Sequence, residues 1–450
     1  MTQHPQASLQ WTEELPSDWS IIRIKFCLED GREGSRIGPF GSSLILSEMV
    51  KEGYKVYGQE NIIANDFFAG QRFISEEKFD EMKSYSVFPG DILITMMGTV
   101  GHCRIVPNDI QPGIIDSHLL RLRVKSNLVN PRYFEWVLGE SDISKKQAEI
   151  VSKGSIMSGL NSSIVRDMLI PLPPLEVQKA ISSFLDRKTA AINILIAKQQ
   201  RLIQLLEEKR TALINKVVTK GLNPNVPMKD SGIPWIGEIP KHWKFKRLKF
   251  IADIQSGVTK GRDLEGRDII EISYLRVANV QDGYLDLTNI AIIAIDVKEE
   301  KRYLLQKGDV LMTEGGDNDK LGRGAVWEGQ VDRCIHQNHV FAVRPSKSAN
   351  SYWISLVIQS SYLKHFFLTR AKQTTNLASI SSSNLKEAPL PFPPLYEQEL
   401  IINIVSQELD KLQKIRSTNN VQIQKIQEYR QSIITAAVTG KINVKQEDAA

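Results

Sequence analysis

The sequence predicts an α+β protein: two globular α+β domains separated by two long helices that form an antiparallel coiled coil, arranged as an internal repeat about a pseudo-twofold axis. Three observations predict it. The 450-residue chain matches itself at an offset of about 220 residues along most of its length. Two stretches, 175–217 and 395–437, contain neither Pro nor Gly. Within both, apolar residues recur at every seventh position, the period of a coiled-coil seam.

The repeat starts near the N-terminus, where LPSDWSIIRIKF (15–26) answers IPKHWKFKRLKF (239–250). FPGDILITMMGTVG (88–101) answers QKGDVLMTEGGDND (306–319), and His118 in GIIDSHLLRLRV faces His339 in RCIHQNHVFAVR. The offset drifts up to this point and then settles at 220, from the proline motif onward. Loop lengths therefore differ in the first part of each copy, whereas the second part has a fixed length. The first parts read as domains at 1–172, with a tail over 1–14, and at 239–392. Spacer helices follow at 173–220 and 393–440, with a linker at 221–238 and a C-terminal tail at 441–450.

In each domain, short alternating runs flank a Gly-rich segment. GDILIT and HCRIV around MMGTVG, and GDVLMT and GRGAVW around EGGDNDKL, predict hairpins. NPRYFEWVLGESDISKKQAEI predicts helix, which makes the domains α+β. Pro173-Pro174 and Pro393-Pro394 suit helix starts and not helix interiors. In both copies a leucine follows, then a glutamate and a glutamine within three residues.

An unbroken helix over either Pro-free stretch would span roughly 64 Å at 1.5 Å per residue. The predicted seam is Leu185, Ile192, Gln199, Leu206 and Leu213 in one helix and Val405, Leu412, Asn419, Ile426 and Ile433 in the other. Ile181, Leu195 and Leu202, and Ile401, Ile402, Leu409, Ile415, Ile423 and Tyr429, support it from a neighbouring row. Gln199 and Asn419 occupy the middle of each seam and are expected to meet as a hydrogen-bonded amide pair that fixes register. Two helices packed separately on their own domains are the alternative.

Composition is that of a soluble globular protein, with 42% hydrophobic and 24% charged residues. The formal net charge of +5 fits a polyanionic partner without demanding one. Cys27, Cys103 and Cys334 are widely spaced and form no C-x-x-C pair, which argues against a disulfide framework or zinc site and for a reduced, cytoplasmic setting. The first 19 residues lack the pattern of a signal peptide, and no run of 18 apolar residues occurs.

Catalytic motifs are missing from the chain. It has no G-x-x-x-x-G-K-[ST], G-x-S-x-G or H-E-x-x-H, no Asn-Pro-Pro-aromatic stretch, and no Gly-rich S-adenosylmethionine loop after a strand. EEKFDE and LEEKR hold acid–Lys pairs of the nuclease kind but read more simply as charged surface. Loops rich in Arg, Lys, Asn, Gln, Gly, Ser and Thr recur alike in both copies. These residue types suit base edges and phosphates.

This layout resembles the specificity subunit of type I restriction–modification systems. The resemblance runs from about Leu15 to Lys441 and rests on PLPPLEVQKAISSFLD, LLEEKRTALINKVVTKGL, MKDSGIPWIGEIPKHW, PFPPLYEQELI and QEYRQSIITAAVTGK. It implies two target recognition domains, each reading one half of an interrupted double-stranded DNA site, with the helices setting the gap. It further implies a non-catalytic chain that binds two modification (methyltransferase) subunits, joined by restriction (translocase/nuclease) subunits. No cofactor is expected on this chain and no metal; S-adenosylmethionine, ATP and Mg are expected on the partners, where adenine N6 methylation and ATP-dependent cleavage would occur.

Candidate DNA contacts are Gln59, Asn61, Thr95, Met96, Gly98, Thr99, Arg104, His118 and Lys153 in the first copy. In the second they are Arg276, Asn279, Thr313, Asn318, Lys320, Gln337 and His339. A self-contained methyltransferase with fused recognition domains, or a coiled-coil scaffold without DNA, are the rival readings. S-adenosylmethionine binding or a sequence-specific footprint separates them.

Overall fold

The computed structural model describes residues 10–12, 15–40, 43–97, 101–152, 161–233, 235–316, 321–373 and 378–444. It forms two compact units. The first comprises residues 1–199 and 421–450, the second residues 200–420.

In the first unit the strands are β1 (Ser20–Arg23), β2 (Ser35–Ile37), β3 (Tyr54–Tyr57), β4 (Phe73–Ile74), β5 (Ile92–Thr95), β6 (Cys103–Ile105), β7 (Gly113–Ile115), β8 (Leu119–Leu122) and β9 (Leu169–Leu172). The helices are α1 (Ile24–Cys27), α2 (Gly31–Gly34), α3 (Gln59–Ala64), α4 (Glu76–Glu81), α5 (Pro131–Glu135), α6 (Asp142–Ser152), α7 (Ser162–Asp167) and the start of α8 (Leu175–Lys220). A four-stranded sheet runs β2-β8-β5-β6, a second sheet runs β4-β3-β7, and β1 pairs with β9. β3 and β7 are parallel; the other pairs are antiparallel.

The second unit repeats this plan. Its strands are β10 (Met228–Asp230), β11 (Glu238–Pro240), β12 (Lys244–Arg247), β13 (Ala252–Ser256), β14 (Ile269–Leu275), β15 (Ala291–Asp296), β16 (Val310–Thr313), β17 (Gly315–Gly316), β18 (Gly324–Val326), β19 (Cys334–His336), β20 (Val340–Pro345), β21 (Lys372–Gln373), β22 (Ala378–Ser379) and β23 (Pro389–Phe392). Its helices are α9 (Glu300–Tyr303), α10 (Ser351–Ile358), α11 (Ser361–Arg370), α12 (Ser382–Lys386) and the start of α13 (Leu395–Val438). Sheets β13-β20-β16-β18, β15-β14-β19 and β12-β23 correspond one for one to those of the first unit. The second unit also has two small sheets, β10-β11 and β17-β22-β21, without a counterpart among the described residues of the first. The segment read as a linker thus contains a hairpin, tied down where Lys229 Nζ donates to Trp243 O at 2.6 Å.

Two motifs of the repeat have clear physical roles. In the Gly-Asp pairs, Gly90 and Gly308 adopt φ of +83° and +92°, which lets the chain turn into β5 and β16. The following aspartates, Asp91 and Asp309, are buried beneath the turn. Asp91 accepts from Arg123 Nε (2.7 Å), Arg123 Nη2 (3.0 Å) and Phe88 N (2.8 Å). Asp309 accepts from Arg344 Nε, Arg344 Nη2 and Gln306 N at 2.7, 2.7 and 2.8 Å.

The second motif is the glutamine after the prolines. Buried Gln178 accepts from Asn130 N (2.8 Å) and donates to Leu128 O (3.0 Å) and Pro173 O (2.9 Å). Asn130 in turn caps α5 by accepting from Tyr133 N at 3.0 Å. Gln398 does the same for Asn350 N (3.0 Å) and Pro393 O (2.9 Å). Each long helix is therefore bolted at its first turn to the cap of a domain helix.

Each unit is completed by the far end of the other copy's helix. In the first, Ile181, Phe184 and Leu185 at the start of α8 share a core with Ile434, Ala437 and Val438 at the end of α13. Arg430 and Gln431 of α13 also reach Glu140, at 3.1 Å to its carboxylate and 2.8 Å to its carbonyl. In the second, Ile214, Val217 and Val218 at the end of α8 join Ile401 and Val405 at the start of α13. Arg416 pairs with Glu207 at 2.5 Å. Within each unit the two helix segments thus run antiparallel.

The predicted seam residues are buried or half-buried throughout. The supporting row needs correction: Leu195, Leu202, Ile415 and Tyr429 are exposed. The row four residues after the seam is the inward one, with Thr189 and Val217 in α8 and Ala437 in α13 buried. A 3.5-residue period permits a second row on either side of the first, and packing decides between them. Gln199 Oε1 is buried without a hydrogen-bond partner among the described residues.

Candidate nucleic-acid interface

Three segments of the first unit converge on the turn that joins β7 to β8. Gly38 N donates to Leu119 O (3.0 Å) and Met96 N donates to His118 O (2.9 Å), so the loop after β2 and the β5–β6 hairpin flank His118. The approach is close enough that a Cβ on Gly38 would lie 1.8 Å from Asp116 O, which excludes any side chain there. Asp116 braces the turn. One carboxylate oxygen accepts from His118 N (3.0 Å), the other from Arg72 Nη1 (3.0 Å), and Arg72 Nη2 reaches Glu60 (2.6 Å). Burial works against the charge on Arg72, but the Asp116 and Glu60 carboxylates outweigh it and raise its pKa. The His118 side chain itself is 46% exposed.

The same convergence occurs in the second unit between β19 and β20. Val258 N donates to His336 O (2.8 Å), Asn338 N to Val258 O (3.0 Å) and Glu314 N to His339 O (2.8 Å). A Cβ on Gly257 would lie 2.0 Å from His336 O, matching Gly38. His339 is 56% exposed and its Nδ1 lies 2.7 Å from the Glu314 carboxylate. Glu314 takes the place of buried Met96 in the first unit. The two edges share a backbone frame and differ in the side chains they present. Acceptors such as Glu314 suit the cytosine N4 or adenine N6 amino groups, whereas a neutral histidine ring carries one donor and one acceptor.

Several sequence candidates serve the frame. Asn61 is buried, accepting from Gly58 N (3.0 Å) and donating to Asp66 O (3.0 Å) and Ala69 O (2.8 Å). Asn279 repeats this with Arg276 N (2.8 Å), Asp286 O (2.8 Å) and Asn289 O (2.9 Å). Neither can reach a base edge with its amide so engaged. Met96 lies in the core, and Thr95 and Thr313 are buried strand ends, Thr95 Oγ1 accepting from His102 N at 3.0 Å. Arg104 is held by Glu140 at 2.9 Å.

Gln337 uses its carbonyl to accept from Val277 N at 3.3 Å, and Arg276 donates to Asn289 at 3.1 Å. Gln59 is half-buried at the first position of α3. Gly98, Thr99, Lys153, Asn318 and Lys320 lie outside the described residues. Arg72 is not among the sequence candidates. Glu314 sits in the TEGGDNDKLGRG segment that the sequence marks out, whereas nothing in the sequence signals Arg72.

Beneath the second edge His336 is fully buried, its Nδ1 donating to Val340 O at 2.6 Å. Burial pushes its pKa below the ordinary 6.5, so the folded unit holds the ring neutral. The unfolded chain binds that proton more readily. Stability is therefore full above about pH 6.5 and declines as pH falls below it. The urea midpoint of the second unit, read by amide exchange in β20, is expected to drop between pH 7.5 and 5.5. His336→Leu should lose about 1 kcal/mol at high pH but flatten that slope; equal slopes in both proteins would contradict the assignment.

The family model for the type I restriction modification DNA specificity domain matches residues 44–205 and 240–425. The chain belongs to this family. It is a DNA sequence-specificity subunit, and the two matches place one family domain in each copy of the repeat. The EcoBI specificity subunit of Escherichia coli is 25% identical over 381 residues, covering 81% of this chain and 76% of that one. The MjaVIII specificity subunit of Methanocaldococcus jannaschii is 25% identical over 437 residues, covering 96% and 94%. The putative MjaX subunit of the same organism is 30% identical over 175 residues, and this chain spans 40% of its length.

The fold is shared with solved structures. A chain from a type I R-M system aligns with a TM-score of 0.67 at 17% identity, over 95% of this chain and 99% of that one. The HsdS subunit from Thermoanaerobacter tengcongensis aligns at 0.50 and 18% identity, over 95% and 98%. Among the described residues no helix is long and apolar enough to cross a membrane.

Proposed function

We propose that the edge built around His118 reads one half of an interrupted DNA site and the edge around His339 reads the other. The long helices, each of which contributes to both units, set the gap. The observation that carries this reading is the duplicated frame with divergent side chains at its tip: Met96 against Glu314, and Asp116-Ser117 against Gln337-Asn338 before the histidine. A chain that recognised one repeated sequence would have no use for that divergence.

The chain supplies recognition, and the chemistry falls to its partners. Two modification subunits would bring S-adenosylmethionine to adenine N6, and restriction subunits would bring ATP and Mg for cleavage. That a specificity subunit works within a type I assembly on DNA follows from family membership.

His118→Ala and His339→Ala test the assignment of edges. Each is expected to relax discrimination at one position of one half-site by about 1–3 kcal/mol, or roughly 5- to 150-fold. The slope of log affinity against log salt should stay unchanged, because no phosphate contact is lost. A uniform weakening on all sequences, with a reduced salt slope, would assign the histidines to the backbone instead.

A further inference from the structure

Phe26 and Phe250 occupy corresponding places in the two units, in IKFC and LKFI after β1 and β12. Both rings face solvent, at 59% and 69% exposure. The same polar set surrounds each. Lys25 Nζ lies 5.4 Å from the Phe26 centroid and 2.9 Å from Asp167, with Arg23 at 3.6 Å from the same carboxylate. Lys249 Nζ lies 5.2 Å from the Phe250 centroid and 2.6 Å from Glu387, with Arg247 at 2.8 Å. An exposed large aromatic ringed by ordered charges is the composition of a protein–protein anchor.

Two features argue against DNA as the occupant. Lys125 N donates to Cys27 O beyond the end of β8, and Ser346 N to Ile251 O beyond the end of β20. The histidine turns lie at the other ends of those strands, about 20 Å away at 3.3 Å per residue. A carboxylate also sits between the two cations in each patch, which a phosphate backbone would oppose. The patches keep their chemistry in both copies while the reading edges diverge. Matched patches fit one partner bound twice.

We propose that Phe26 and Phe250, with the ion-paired cations beside them, are equivalent docking points for two copies of the modification subunit. Each ring would enter an apolar pocket on the subunit, with a carboxylate at the rim accepting from Arg23 or Arg247. This rests on the reading above that modification subunits bind in two copies.

The test uses the full chain co-produced with its cognate modification subunit, counted by native mass spectrometry. The wild type should carry two copies, Phe26→Glu or Phe250→Glu one copy, and the double variant none. Each substitution should weaken its site by on the order of 10- to 100-fold, and Phe→Leu should restore most of the binding. Melting should be unchanged, because both rings are exposed. Variants that keep two copies at wild-type affinity would overturn the inference while leaving the proposed function intact. The same holds for variants that keep both copies but lose affinity for DNA of any sequence. A wild-type chain that binds no modification subunit would overturn the reading it rests on, and the inference with it.

Discussion

Asp309→Ala is expected to destabilise the second unit strongly while the first is unchanged, and Asp91→Ala to do the reverse. Both carboxylates are buried at 1% exposure and each receives a two-pronged arginine together with a backbone N–H. Removing the carboxylate strands a partly buried guanidinium and an unpaired amide, a change that costs about 3–5 kcal/mol. Total domain stability is on the order of 5–15 kcal/mol, so the loss is a large fraction of it. Amide exchange should accelerate in β16 and β20 for Asp309→Ala and in β5 and β8 for Asp91→Ala. Asp→Asn keeps one acceptor and the packing, and should cost less. Equal acceleration in both units from either variant would show that they unfold as one.

Gln178→Leu should be the next most damaging change, at about 3 kcal/mol. It leaves Asn130 N, Leu128 O and Pro173 O without their partner at the junction of α5 and α8. Gln398→Leu removes the bonds to Asn350 N and Pro393 O, so its effect should be smaller. Gln→Glu should be worse than Gln→Leu at neutral pH, because it turns a carboxylate oxygen toward a carbonyl. Urea midpoints for the four variants check the order; indistinguishable midpoints would mean that the glutamine is a bystander.

The fold was legible where residue type and backbone geometry coincide. Pro-Pro admits a helix start and little else. A Gly before a buried Asp admits a turn into a strand, and 43 residues without Pro or Gly, in each copy, announced α8 and α13. The candidate site was legible in part. His118 and His339 stood out because the repeat aligns them, and both occupy the tips of equivalent turns. Asn61 and Asn279 misled for a physical reason: the amide that would match adenine matches a pair of backbone carbonyls equally well. Leu195 and Leu202 misled because a heptad count fixes one row and leaves the side of the second to tertiary packing. Arg72 was invisible, since its meaning comes from Asp116, 44 positions away in the chain.

Two similar frames are proposed to read two different half-sites. Mapping methylated adenines across the genome of a host carrying the full system tests it most directly, first with the wild-type chain and then with His339→Ala. One motif made of two specified halves with an unspecified gap is expected, and for the variant a motif degenerate in one half and intact in the other. A continuous motif, or a variant that alters both halves together, would contradict that reading.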